Sequence, residues 1–439
     1  MKTLLSLLLS AGIMSLATTL RAAEPHVWTL QECISHALAH NISIQQQQDA
    51  VQQQQISLST TRHSRLPNLQ GSAGEHFSFG RALTSDNTYA NRNTSSTSFS
   101  LGTSVPIYTG GQIPTETAIR RLNLQAALQD CQQAKDNITL AVISAYLEAV
   151  YQQDLVEIAR QQVELSQAQA ERMQQLCQAG KAAEADVAQM RSMQASDQLS
   201  LTQQQGSLKL ALLELSQLLE LDTPEGFSVQ RPLMEDASET LLPTPDAIYN
   251  EALGVRPQIL AGELRMRSAE KNIRLAKSAL YPSLHLSAGL GSNYYRTNGY
   301  DTPSFGRQLR DNFSQYLGVS LSVPIFNRMA TLGSIRSARV QLHTQQLQLQ
   351  DTKKTLYKDI QQAYYNALNA QQQCRSSQEA NNYALTAHQL MQAKYEQGRA
   401  NATEYQEAKH ALQKARSQHA QALYTFLFRQ KILLFYRGN

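Results

Sequence analysis

Beyond its N-terminus the chain has no apolar run approaching the roughly 18 residues that a membrane-crossing helix needs, so any passage through a bilayer has to be made by β-strands closed against other strands. Charge is scarce as well. Of the 439 residues 17% are charged and 42% hydrophobic, and Gln, Ser, Thr and Asn take up the balance, which is not the composition of an ordinary enzyme. The net charge is only +4 with basic residues scattered, which excludes a patch for nucleic acid. No glycine loop that would cradle phosphate, no nucleophile elbow and no CxxC pair occurs. His36 and His40 stand four apart on a helical stretch, but the glutamate of a zinc-protease helix is missing, so no metal site is read from them. These absences leave neither an enzyme class nor a cofactor to expect.

What is present starts at the N-terminus. Lys2 precedes the apolar run Leu4 to Leu20, with small residues at Ala17, Ala22 and Ala23, the pattern of a secretory signal peptide over residues 1–23. A membrane anchor is the alternative, but the run is short for a span and no stop-transfer pattern follows. No cysteine just after it points to a lipid anchor. The glutamine runs Gln45–Gln48 and Gln52–Gln55 look like low complexity, yet Leu38, Ile42, Val51 and Leu58 pass through them at helical spacing, which predicts a water-facing helix.

Laid against itself, the chain repeats. Val105-Pro106-Ile107 recurs 218 residues later as Val323-Pro324-Ile325, and Gly180 recurs at that offset as Gly398. Ile138, Val142, Ala145, Tyr146 and Ala149 fall on Leu356, Ile360, Ala363, Tyr364 and Ala367. Upstream, Leu66-Pro67 and Ser72-Ala73-Gly74 echo Tyr281-Pro282 and Ser287-Ala288-Gly289 at an offset of 215. Two units, spanning 24–225 and 246–439, are too few for a solenoid. Pro224, Pro232, Pro243 and Pro245 make 222–245 an irregular stretch, with the linker that joins the units at 226–245.

Each unit opens with a helical segment (29–65 and 256–281) and then alternates with period two. Leu69, Gly71, Ala73, Phe77 and Phe79 oppose Gln70, Ser72, His76 and Ser78; Phe99, Leu101, Val105 and Ile107 oppose Ser98, Ser100 and Ser104. The second unit follows with Leu284, Leu286, Ala288, Leu290 and Tyr294, then Phe313, Leu317, Val319, Leu321, Val323 and Ile325. Strands are predicted at 68–80, 96–107, 283–296 and 313–325, each long enough to cross a bilayer core at a tilt. A soluble sandwich shows the same alternation, but four strands do not close a barrel and no others are predicted, so several chains have to contribute. The polar loops 80–95 and 297–312 then belong outside. Glu75 interrupts the apolar face and is expected below the hydrocarbon level.

A helical stretch of unusual length follows each strand pair, over 112–176 and 328–395, about 100 Å at 1.5 Å per residue. Leu356, Ile360, Ala363, Ala367, Ala370 and Cys374 step by four and three, a coiled-coil seam. Glycine ends each long helix near the tips 177–186 and 395–404, and shorter helices return over 183–221 and 403–436. Counted along these helices, Cys33, Cys131, Cys177 and Cys374 sit at different heights, and free thiols are expected.

The doubled Val-Pro-Ile, the Ala-Tyr of the long helix, the glycine-turn-acid tip and Arg256-Pro257-Gln258-Ile259 opening the second unit resemble the TolC family of outer-membrane efflux proteins over nearly all of the mature chain. The resemblance implies a mainly α fold with transmembrane β: a trimeric 12-stranded β-barrel continued by a long periplasmic α-helical barrel. It implies a homotrimer in outer-membrane lipid, gated at its periplasmic end and served by a periplasmic adaptor and an inner-membrane RND or ABC-type pump, for efflux or type I secretion.

By position, Glu404 and Glu407 match the acids that ring the closed aperture in that family. On one helix face, and converging from several chains, they would repel one another and draw cations. Asn401 and Glu404 also have the spacing of a capping box, so Glu404 has a structural role open to it as well. The family ties its tips through a tyrosine and an acid, here Tyr395 and Asp186, although Asp186 also suits a helix first turn. The family's arginine is displaced: Ala400 holds its position and Arg399 precedes it. Gly180, Lys181, Gly398 and Asn401 form the turns expected to meet the adaptor. Ala183 stands where the second tip has Asn401, so the first tip is expected to fray more easily. A coiled-coil adhesin anchored by a small barrel and a hydrolase hidden in a helical scaffold are the competing readings. The doubled glycine-acid tip disfavours the first, and the lack of a nucleophile and base disfavours the second.

Overall fold

A computed structural model describes residues 27–83, 87–91, 93–221, 226–231 and 243–437. The expected signal peptide, Pro224 and Pro232 lie outside them. In chain order the elements are β1 (Val27–Trp28), α1 (Leu30–His40), α2 (Ile42–His63), β2 (Asn68–Ser78), β3 (Arg81–Leu83), β4 (Tyr89–Asn91), β5 (Thr94–Thr109), α3 (Gln112–Gln178), α4 (Glu184–Leu218), β6 (Ser228–Val229), α5 (Pro245–Val255), α6 (Pro257–Ser278), β7 (Ser283–Thr297), α7 (Phe305–Asp311), β8 (Ser314–Ser322), α8 (Ala330–Glu396) and α9 (Ala402–Arg437). The long helices α3 and α8 are each 67 residues. Their seam is buried as its spacing predicts: Val142, Ala149, Leu356, Ile360 and Ala367 are fully inaccessible.

The chain forms two compact units that do not follow the tandem boundaries. One comprises Met1–Ile42, Lys135–Thr244 and Gln362–Phe435, the other Ser43–Ala134, Pro245–Gln361 and Tyr436–Asn439. Each draws on both halves of the sequence: β5 of the first half pairs with β7 of the second, and Asp197 on α4 pairs with Lys409 on α9.

In the first unit, Cys33, Ala37, Val142, Tyr146, Val150, Leu215, Leu219 and Phe227 share one core. The hydroxyl of Tyr146 donates to the carbonyls of Trp28 and Gln230, tying the short parallel pair β1–β6 to α3. Burial pushes both the Tyr146 phenol and the Cys33 thiol up to about 12. All four cysteines are free. The helix expected to run unbroken from 29 to 65 is interrupted at Asn41, whose backbone is extended. Its amide donates to the Leu218 carbonyl at 3.2 Å, and the next backbone N–H reaches Glu220 at 3.3 Å, so the end of α4 pins the break.

In the second unit, four strands form one antiparallel sheet in the order β2-β5-β7-β8. Register decides its character. Ala73, Phe99 and Ser292 stand side by side, as do Gly71, Leu101 and Leu290, and Leu286 pairs with Val319. The apolar positions of all four strands therefore share one face, while Ser72, Ser100 and Gly291 share the other. The apolar face is open: Leu69, Leu317, Val319 and Leu321 are 65–76% exposed. Pro106 lacks an N–H to pair, and a bulge between Pro106 and Tyr108 absorbs this at the helix end of β5.

Several expectations need correction here. β8 stops at Ser322, so Val323-Pro324-Ile325 lies outside the sheet although its counterpart lies within β5. Strands beyond the predicted four do exist, in the pairs β1–β6 and β3–β4; they are two or three residues long and too short to show an alternation. Glu75 lies in the loop half of β2 rather than toward the helices, and its carboxylate accepts from the hydroxyls of Ser95 and Thr97 on β5. Two cross-strand donors thus account for a charge on an apolar face.

Candidate functional site

The two helix-ending turns, both in the first unit, stop their helices in the same way. At the end of α3, Gly180 takes φ 71°, its N–H reaches the Cys177 carbonyl, and the Lys181 N–H reaches that of Leu176. At the end of α8, Gly398 takes φ 72°, with bonds from Gly398 to Tyr395 and from Arg399 to Lys394. Both are Schellman motifs, which use glycine because a left-handed residue must close the turn.

The helices restart differently. Before α9, the Asn401 side chain accepts from the Glu404 N–H at 2.8 Å, and the Glu404 carboxylate accepts from the Asn401 N–H at 3.0 Å. This reciprocal box gives Glu404 a structural task. Before α4, only one half of that pattern exists: Asp186 accepts from the Ala183 N–H at 3.2 Å, and Ala183 has no side-chain acceptor to return it.

Behind the turns the first unit buries a polar-aromatic cluster. The Tyr405 ring is fully buried, stacks on Tyr395 at 5.1 Å and lies 5.6 Å from the ring of His388; its hydroxyl accepts from the amide of Gln169. Burial raises the Tyr395 pKa, and the charge of Asp186 adds to that shift while Arg172 opposes it. One helical turn beyond Tyr405, Lys409 forms an ion pair with Asp197 at 2.7 Å, the side chains only 2% and 8% exposed. This pair fastens α9 to α4.

The predicted residues therefore divide. Glu404, Glu407, Asp186, Lys181, Arg399, Gly180, Gly398 and Asn401 are all exposed at or beside the turns. Asp186 is near enough to Tyr395 to shift it, but no hydrogen bond joins the two among the described residues, where Asp186 serves Ala183 instead. Arg399 has no ion pair among the described residues. The buried pair Asp197–Lys409 and the Tyr405–His388 contact escaped the sequence reading. Asp197 and Lys409 are 212 residues apart, and only the register of α4 on α9 brings them together.

The chain matches the outer membrane efflux protein family over residues 33–220 and 248–436. It is 25% identical over 312 residues to the pyoverdine export outer membrane protein OpmQ of Pseudomonas putida, covering 70% of this chain and 62% of that one, so it spans less than two thirds of that relative. It is 26% identical over 383 residues to the outer membrane protein TolC of Vibrio cholerae, covering 84% and 80%. Its fold is that of CusC, with a TM-score of 0.77 at 18% identity over 93% of this chain and 92% of the other. It is likewise that of the CmeC outer membrane channel of Campylobacter jejuni, with a TM-score of 0.78 at 17% identity over 93% and 85%. The chain belongs to the outer membrane efflux protein family, as a TolC-like protein of the outer membrane.

Proposed function

We propose that this chain is one protomer of a homotrimeric exit duct, which carries substrates from an inner-membrane pump of RND or ABC type, through a periplasmic adaptor, to the outside. One observation carries the reading: an antiparallel sheet with an exposed apolar face leaves both of its edge strands, β2 and β8, with no further strand beside them in that sheet among the described residues. In lipid an open edge is untenable, and pairing β8 of one copy with β2 of the next closes a barrel. The polar face, rich in serine and glycine, then lines the lumen, and the 67-residue helices form the periplasmic conduit.

The gate lies at the turns of the first unit. Glu404 and Glu407 ring the aperture, with Asp186, Tyr395 and Arg399 beside them, and Gly180, Lys181, Gly398 and Asn401 present the surface that the adaptor meets. The test is electrical, on a trimer verified by native mass. In a planar bilayer the wild type conducts poorly, and Glu404→Gln with Glu407→Gln changes its conductance or cation preference. Glutamine at 404 keeps an acceptor for the Asn401 N–H and removes only the charge, so unchanged conductance overturns the gate assignment rather than reporting a lost cap.

A further inference from the structure

Helix α7 sits on the loop end of the sheet in a fixed position. The Phe305 ring lies 6.4 Å from that of Phe99 and 5.1 Å from that of Tyr294, both on the apolar face. Ser292 donates to the Leu309 carbonyl at 2.6 Å. The buried amide of Gln308 accepts from the Tyr295 N–H and donates to the Tyr295 carbonyl, each at 3.0 Å. It stands in for the strand residue that β8 no longer supplies beyond Ser314. With Phe305, Gln308 and Leu309 turned inward, a period of 3.6 turns Arg307 and Arg310 outward. Both are exposed; Arg307 has Asp311 at 3.6 Å, and Arg310 has no ion pair among the described residues. Arg296, two residues beyond Tyr294 on β7, shares the apolar face by alternation and is exposed too.

We propose that Arg296, Arg307 and Arg310 form a site for the phosphate headgroup of an anionic lipid of the outer leaflet, its acyl chains lying on Phe99, Leu101 and Leu290. The site rests on the barrel reading above. Guanidinium forks match phosphate oxygens, aromatic rings such as those of Tyr294 and Phe305 belong at headgroup level, and the three apolar side chains beneath are 40–42% exposed. A free phosphate ion would gain nothing from that apolar strip. Three arginines outnumber the two neighbouring carboxylates: Glu75, oriented across the strands by Ser95 and Thr97, and Asp311, whose pair with Arg307 is solvent-exposed and weak.

The test uses the purified trimer in nonionic detergent, incubated with phosphatidylglycerol or with phosphatidylcholine and read by native mass spectrometry. Phosphatidylglycerol is retained in preference to phosphatidylcholine. Arg307→Gln with Arg310→Gln lowers that retention about tenfold, as loss of charge-assisted bonds would, with trimer mass and conductance unchanged; Arg307→Lys with Arg310→Lys keeps most of it. Unchanged retention in the glutamine variant, equal retention of the two lipids, or full displacement by inorganic phosphate overturns the site. Absence of a trimer in the wild type overturns the barrel reading instead, and this site with it.

Discussion

The two strand-to-helix junctions meet one backbone requirement with different residues. Gly110 and Gly111 lead β5 toward α3 at φ 63° and 80°, while Arg328 and Met329, at the corresponding positions, lead from β8 into α8 at 55° and 65°. The left-handed pair is demanded by the turn in both halves; glycine is demanded only in the first. A Cβ on Gly110 would lie 2.6 Å from the Ser278 carbonyl oxygen and 2.9 Å from the Cβ of Tyr281, whereas Arg328 and Met329 are exposed and have room. The tips show the same division: matching Schellman turns, then a full capping box in one and half of one in the other. Where backbone geometry dictates, the halves agree, and where only side chains are at stake, they diverge.

The largest break in this likeness comes from the pair with no counterpart in the other register. The positions matching Asp197 and Lys409 are Ala415 and Arg191. Lys409→Met strands a buried carboxylate and costs about 3–5 kcal/mol, whereas Lys409→Met combined with Asp197→Leu restores most of that loss. Denaturant unfolding followed by far-UV circular dichroism reads both, and equal losses in the single and double variants would refute the account.

The junctions come next. Gly110→Ala combines a left-handed φ with a collision and costs about 2–3 kcal/mol, against about 1 kcal/mol for Gly111→Ala, which meets nothing within 4 Å. Arg328→Gly should leave the structure unchanged and relieve strain of up to about 1 kcal/mol. The same unfolding curves check all three, and equal costs at 110 and 111 would remove crowding from the explanation. At the tips, Asn401→Ala costs about 1 kcal/mol and Ala183→Asn gains a similar amount. Amide exchange over 184–187 and 403–405 measures the two locally, and the difference between tips should shrink in either variant.

Much of this fold was legible because it rests on periodicity. The alternation of Leu284, Leu286, Ala288 and Leu290 fixed a strand and its face, the steps from Leu356 to Cys374 fixed the buried seam, and Gly180 and Gly398 marked the turns. The capping box was legible from the spacing of Asn401 and Glu404. Arg328 and Met329 carried no sign of a left-handed backbone, since neither residue favours it. Helix α7 was hidden in a polar loop, because seven residues show barely two turns of pattern. Asp197, Lys409, His388 and Tyr405 belong to no sequence pattern, and a cluster made by helix register has no local signature.

The smallest expected effect concerns pH, again at a position where the halves differ. His388 is buried on α8, and its counterpart is the equally buried Ala170. Burial lowers the His388 pKa below 6.5, and the charges of Arg416 and Lys409, both on α9, lower it further. The native state therefore holds this imidazole neutral where the unfolded chain would protonate it, so its contribution is intact above pH 6.5 and is lost as pH falls below that value. Amide exchange around residues 385–410, corrected for intrinsic rates, should accelerate between about pH 7 and about pH 5.5 while that around 167–192 changes less. His388→Gln should abolish the difference. Lys409→Met should weaken it, because one of the two charges that oppose protonation is gone. A difference that persists in the glutamine variant would place the sensor elsewhere, with His419 on α9, whose pKa burial also lowers, the next residue to replace.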